Sequence, residues 1–174
     1  MAFLVRKLIK RSSIEQIAAA DSVEEMFADA ATAEFRTTKG TLSTWKINDI
    51  IDLDDAVLAI VATSSKIEKM DFIVIDTKLI EENHLEYIQS YAGKEIAVPD
   101  LQDTHYDIIN ITIAKLINCT CIYRKVFEQD CDEGTYIVRY VEGDIKDLLA
   151  KAFAEGRIKI ELLPKDIRKS MEVN

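Results

Sequence analysis

Two periods organise the apolar residues of this chain, and the changes between them mark its elements. Phe3 to Ile9 reads as a first strand. Thr41 to Ile47 reads as a second, with Leu42, Thr44 and Lys46 alternating against Ser43, Trp45 and Ile47. Phe72 to Ile75 is a short, wholly apolar run between Asp71 and Asp76, the pattern of a central strand buried on both faces. Cys121 to Glu128 and Thr135 to Glu142 flank the acidic turn Gln129 to Gly134, which predicts a β-hairpin. Ile158, Ile160 and Leu162 alternate with Arg157, Lys159 and Glu161, which predicts a strand with one wet face.

Helical spacing fills most of the remainder. Ser13 to Ala20 and Ser22 to Phe35 read as helices, the second opened by a Ser22–Glu25 capping box. Leu53, Val57, Leu58, Ile60 and Val61 line one face of a helix that Asp52 or Asp54 can cap. Lys78 to Tyr91 reads as a helix ending before Gly93, and Val98 to Asp103 as a loop. Thr104 and Asp107 then have cap-box spacing ahead of a stripe formed by Tyr106, Ile109, Ile113, Leu116 and Ile117. The isoleucines argue against that helix, because β-branched side chains lose rotamer freedom there. Asp144 caps a helix running to Glu155, Gly156 stops it in a left-handed conformation, and Pro164 suits the first turn of a final helix.

Strand and helix alternate in the first half, and a hairpin falls in the second. The order predicts an α/β or α+β fold with a mixed sheet of about five or six strands, helices packed on it and a C-terminal β-hairpin. No repeat, low-complexity segment or Pro/Gly/Ser-rich linker divides the chain, so residues 1–174 read as one domain.

Composition narrows the function classes. The chain has 174 residues, 48% of them hydrophobic, enough for one packed core. No two of its five glycines lie within six residues of each other, which excludes P-loop and dinucleotide-binding glycine fingerprints. A net charge of −9 with no long basic run makes nucleic acid an unexpected partner. The longest apolar run, Ala56 to Ala62, is seven residues, against the roughly 20 needed to span a bilayer. The opening segment, interrupted by Arg6 and Lys7, does not read as a secretory signal. Three cysteines, Cys119, Cys121 and Cys131, fit free thiols in a reducing cytoplasm better than a disulfide framework.

Charge is also segregated. Met70 to Asp107 carries nine acidic residues against two lysines, a net −7, while the first eleven residues carry four basic side chains and no acid. An acidic middle with basic ends points to a basic partner on the middle segment, or to self-association of unlike patches.

Candidate chemistry centres on carboxylates. Asp76-Thr77-Lys78 follows the apolar strand, as in metal-dependent nucleases where carboxylates hold Mg²⁺ and a lysine orients water. Asp54 or Asp55 would be the upstream ligand, giving Asp54, Asp55 and Asp76 as the metal set. Capping of the following helix is the competing account of Asp76. The wider cluster of Asp49, Asp52, Asp54 and Asp55 lacks the glycine and final glutamate of an EF-hand, and capping explains it too. His105 and Asp107 offer an acid–base pair, although two residues of spacing on a helix does not bring them together. Cys119, Cys121, Cys131, His84 and His105 do not show the paired knuckles of a zinc site. Tyr136, Val138 and Tyr140 share one strand face, which is either core or a partner surface.

The favoured expectation is therefore a small cytoplasmic, non-catalytic binding or accessory protein that docks a protein partner, or itself, through an acidic surface. It needs no cofactor. The alternative is a Mg²⁺-dependent hydrolase or nuclease using Asp76 and Lys78 with Asp54 or Asp55, and with His105 and Asp107 as further catalytic candidates. The sequence leaves open whether the protein is an enzyme.

Overall fold

The computed structural model describes residues 1–125 and 135–172. Among these residues six strands form one sheet: β1 (Phe3–Lys7), β2 (Leu42–Ile47), β3 (Met70–Asp76), β4 (Glu86–Gln89), β5 (His105–Ile109) and β6 (Thr135–Tyr140). Their order across the sheet is β4-β5-β2-β1-β3-β6.

Every neighbouring pair is antiparallel, so the expected mixed sheet is corrected to an antiparallel one in an α+β fold. The reason lies in the crossovers. β2 and β3 do run parallel, joined by a helix, but β1 is inserted between them and pairs with both. The sequence alternation was that of a parallel sheet, yet no parallel pair is adjacent.

Among the described residues seven helices accompany the sheet: α1 (Arg11–Ala19), α2 (Ala28–Glu34), α3 (Leu53–Thr63), α4 (Thr77–Glu82), α5 (Ile113–Lys125), α6 (Glu142–Ala154) and α7 (Lys165–Glu172). On one face Val5, Trp45, Ile47, Phe72 and Val74 pack with Val57 and Leu58 of α3, Ile145 and Leu149 of α6, and Ile167 of α7. On the other, Leu4, Leu42, Ile73, Ile75 and Ile108 pack with Ile14 and Ile17 of α1, Ala30 of α2, Ile80 of α4 and Ile122 of α5. Phe72 to Ile75 therefore serves two cores at once, as a wholly apolar strand should. Tyr136, Val138 and Tyr140 pack against the first core, so their shared face is core.

Several sequence expectations are corrected. The helix over Lys78 to Tyr91 ends at Glu82. His84 takes a left-handed φ of 55°, the Leu85 N–H donates to the Ile80 carbonyl, and the chain turns into β4. The stripe from Tyr106 to Ile117 splits at Asn110, whose φ is 56°. Its first part is β5, held between β2 and β4, and its second part opens α5. Ser22 to Phe35 is interrupted by extended backbone at Phe27, leaving a 3₁₀ turn at Val23–Glu25 and then α2.

The predicted hairpin is not formed as drawn. Cys121 to Lys125 is the last turn of α5, and β6 pairs with β3. Val126 to Gly134, with the acidic turn and Cys131, lies outside the described residues. Ile158 to Leu162 forms no strand. Lys159 N–H donates to the Ala97 carbonyl, and a 3₁₀ turn follows at Ile160–Leu162. Gly156, with φ of 72°, stops α6 as expected, and Asp144 caps it from inside the first turn by accepting from Val141 N–H at 2.9 Å. Among the described residues no helix is long and apolar enough to cross a membrane.

Candidate functional site

The carboxylates singled out in the sequence are dispersed. Asp76 ends β3, and its Oδ1 accepts from Lys78 N–H at 2.9 Å, so the Asp-Thr-Lys motif is a strand-to-helix cap. Asp76 is buried, whereas Lys78 is exposed. Asp54 and Asp55 lie in the first turn of α3, and β2, the strand before it, is separated from β3 by β1.

Asp54 Oδ1 accepts from the Tyr140 hydroxyl at 2.6 Å, and Tyr140 stands opposite Met70, at the far end of β3 from Asp76. Six residues of strand separate Met70 from Asp76, roughly 20 Å at the rise of a β-strand. Asp55 instead takes Nη2 of Arg157 at 2.9 Å. Asp49, rather than Asp52 or Asp54, supplies the side-chain cap before α3, accepting from Ile51 N–H at 3.1 Å. Among the described residues no group of three or more His, Cys, Asp or Glu is placed to hold a metal ion.

His105 and Asp107 belong to a strand, not a helix start, and occupy the same face of β5 two residues apart. Asp107 accepts from the Ser43 hydroxyl at 3.1 Å. His105 is buried against Trp45, ring centroids 4.9 Å apart, and its Nδ1 lies 2.9 Å from Ser90 Oγ. This Ser90–His105 pair carries no sequence signature, since the residues are 15 apart and meet only through the pairing of β4 with β5. Acyl transfer by such a pair needs a carboxylate on the far ring nitrogen. Among the described residues the His105 ring bonds only to Ser90, which fastens the loop after β4 to β5.

Four of the nine carboxylates in the acidic segment are paired from within the fold. Asp71 receives both Nε and Nη2 of Arg139, at 2.7 and 3.0 Å, and lies 3.7 Å from Arg11. The Arg139 hydrogen bonds hold the Asp71 carboxyl below its usual range. Glu86 pairs with Lys115, Glu95 with Lys159, and Asp100 with Arg157. The segregated charge of the sequence therefore acts inside the fold. Basic residues near both ends of the chain close onto the acidic middle.

Apolar surface collects elsewhere, between α2 and α5. Two hollows, of about 340 and 270 Å³, share Thr32, Ile113 and Leu116 and so form one groove. Phe27 and Ile117 line one part of it, and Phe35 and Ile111 the other. Phe27 is 71% exposed and Ile113 84%.

A buried polar group sits under the same helices. Glu34 closes α2 with no exposure, its Oε2 accepting from Ile9 and Lys10 N–H at 3.0 and 3.2 Å. Burial pushes its carboxyl up to about 7, against the pull of those amides and of Arg6. Among the described residues, Arg6 Nε, Glu34 Oε1 and the Tyr123 hydroxyl are buried with no hydrogen-bond partner within 3.5 Å. On α5, burial pushes the Cys119 thiol up to about 12, so it is a neutral packing group rather than a nucleophile.

No protein-family model, no curated protein and no solved structure matches this chain. Its class rests on architecture: an α+β protein with helices on both faces of a six-stranded antiparallel sheet.

Proposed function

We propose that this is a cytoplasmic, non-catalytic binding protein that docks a protein surface along the α2–α5 groove. The observation that carries the reading is the exposure of Phe27 and Ile113 beside two adjoining hollows that share Thr32, Ile113 and Leu116. Burying such side chains contributes roughly 1.5–3 kcal/mol each on association. The acidic segment is the weaker docking surface, because Arg139, Lys115, Arg157 and Lys159 already occupy four of its carboxylates. The free thiols of Cys119 and Cys121 suit a reducing compartment. Hydrolysis at Asp76 draws no support from a carboxylate spent on a helix cap.

Capture from a native lysate on immobilised wild-type protein, alongside the Phe27→Asp/Ile113→Asp variant, tests this. Both positions are solvent-facing, so the variant keeps the fold. Species held by the wild type and lost by the variant support the groove. Identical capture by both proteins contradicts it.

A further inference from the structure

The groove has the form of a self-complementary surface. A two-fold interface uses the same patch on both subunits, so each must offer a projection and a matching recess. Phe27 is the projection, standing 71% exposed at one end. The recess at the other end holds about 270 Å³, and Phe35, Ile111, Ile113 and Leu116 line it together with Arg36 and three threonines. Thr32, Ile113 and Leu116 are common to both halves and mark the middle.

Charge follows the same polarity. Exposed Glu24, Glu25 and Asp29 adjoin the Phe27 end, and exposed Arg36 and Lys39 adjoin the Phe35 end. Two copies laid parallel would bring the acidic ends together. Two copies related by a two-fold axis through the Thr32–Ile113 middle bring each acidic end onto the partner's basic end.

Resting on the binding reading above, we infer that the occupant of the groove is a second copy of this chain, packed antiparallel about that axis. Phe27 of each copy enters the recess beside Phe35 of the other. Glu24 and Glu25 of each face Arg36 of the other. The surface is small, since α2 spans only Ala28–Glu34, so the dimer belongs to the weak, reversible class.

Sedimentation equilibrium of the purified full chain, up to roughly 100 μM at low salt for such a weak contact, tests it. The expected result is a concentration-dependent rise from 19.7 kDa toward twice that mass. Phe27→Asp is expected to weaken association at least about tenfold, as loss of an interface anchor does. Glu25→Arg and Arg36→Glu are each expected to weaken it, and the two together to restore it. A monomer at every concentration overturns the inference, as does a dimer indifferent to Phe27→Asp or a double charge reversal that fails to restore it. A monomeric wild type whose lysate capture still depends on Phe27 and Ile113 removes the second copy while the binding reading stands.

Discussion

The Arg157 guanidinium donates to the Asp100 carboxylate at 2.8 Å, across 57 residues of chain. The same guanidinium reaches Asp55 at the start of α3, so one side chain from the segment after α6 ties two others to it. This contact is where the charge segregation of the sequence becomes structure. The half-exposed partners set its scale. Arg157→Ala is expected to cost about 1 kcal/mol in chemical denaturation at low salt, and less in 1 M NaCl. Equal stability of the two proteins at low salt would show that the Arg157 ion pairs add nothing to the hold on this segment.

Glu34 gives the fold a pH dependence of known sign. Its folded pKa, about 7, lies above the ordinary 4.5, so the folded chain binds the extra proton between those values. Its contribution is full below pH 4.5 and is lost as pH rises through about 7. The span corresponds to on the order of 3 kcal/mol at about 1.4 kcal/mol per pH unit. Asp71 acts in the opposite direction and in a separate window. Its pKa is lowered by Arg139, so its contribution is present above its ordinary range and lost only as pH falls. Denaturation midpoints of wild type and Glu34→Gln at pH 5 and pH 8 are the check. The wild type is expected to lose stability between them, and the variant to stay nearly flat. Parallel curves would remove Glu34 as the cause.

Asp76 separates capping from catalysis. As a cap, Asp76→Ala costs about 1 kcal/mol and Asp76→Asn restores most of it, since asparagine also accepts from the N-terminal amides. Millimolar Mg²⁺ or Mn²⁺ then leaves the melting temperature of the wild type unchanged. A metal-induced rise abolished in Asp76→Ala would revive the hydrolase reading.

Cys119 and Cys121 lie two residues apart on α5 and differ in exposure. Cys119 is buried with its thiol pushed up to about 12, while Cys121 is partly open. Brief alkylation of the native protein at pH 8, read by site-resolved mass spectrometry, is expected to label Cys121 well ahead of Cys119. Equal labelling would mean that α5 opens readily.

Local signals were readable where one residue settles the backbone or where burial is total. Phe72 to Ile75 has the pattern of a strand buried on both faces, Gly156 is well placed for a left-handed stop, and Asp76 suits a cap as well as a ligand, and the strand, the stop and the cap are what the fold contains. Other segments are decided at long range. His105 to Ile109 has helical spacing, yet β2 and β4 supply partners for a strand on both sides. Ile158 to Leu162 alternates like a strand, but its neighbour is the Ala97 carbonyl rather than a sheet edge. The groove was hidden for a related reason. Ile113, Leu116 and Ile117 form the stripe of a buried helix, and only the placement of α5 against α2 shows Ile113 open to solvent. The Ser90–His105 pair likewise exists only once β4 lies beside β5.

Hydroxyl-radical footprinting of the purified protein at low and high concentration tests the groove and its occupant together. Ile51, 84% exposed and outside the groove, is the internal reference. The account predicts that oxidation of Phe27 and Ile113 falls with rising concentration while that of Ile51 does not. Phe27 and Ile113 remaining as reactive as Ile51 at every concentration would contradict it.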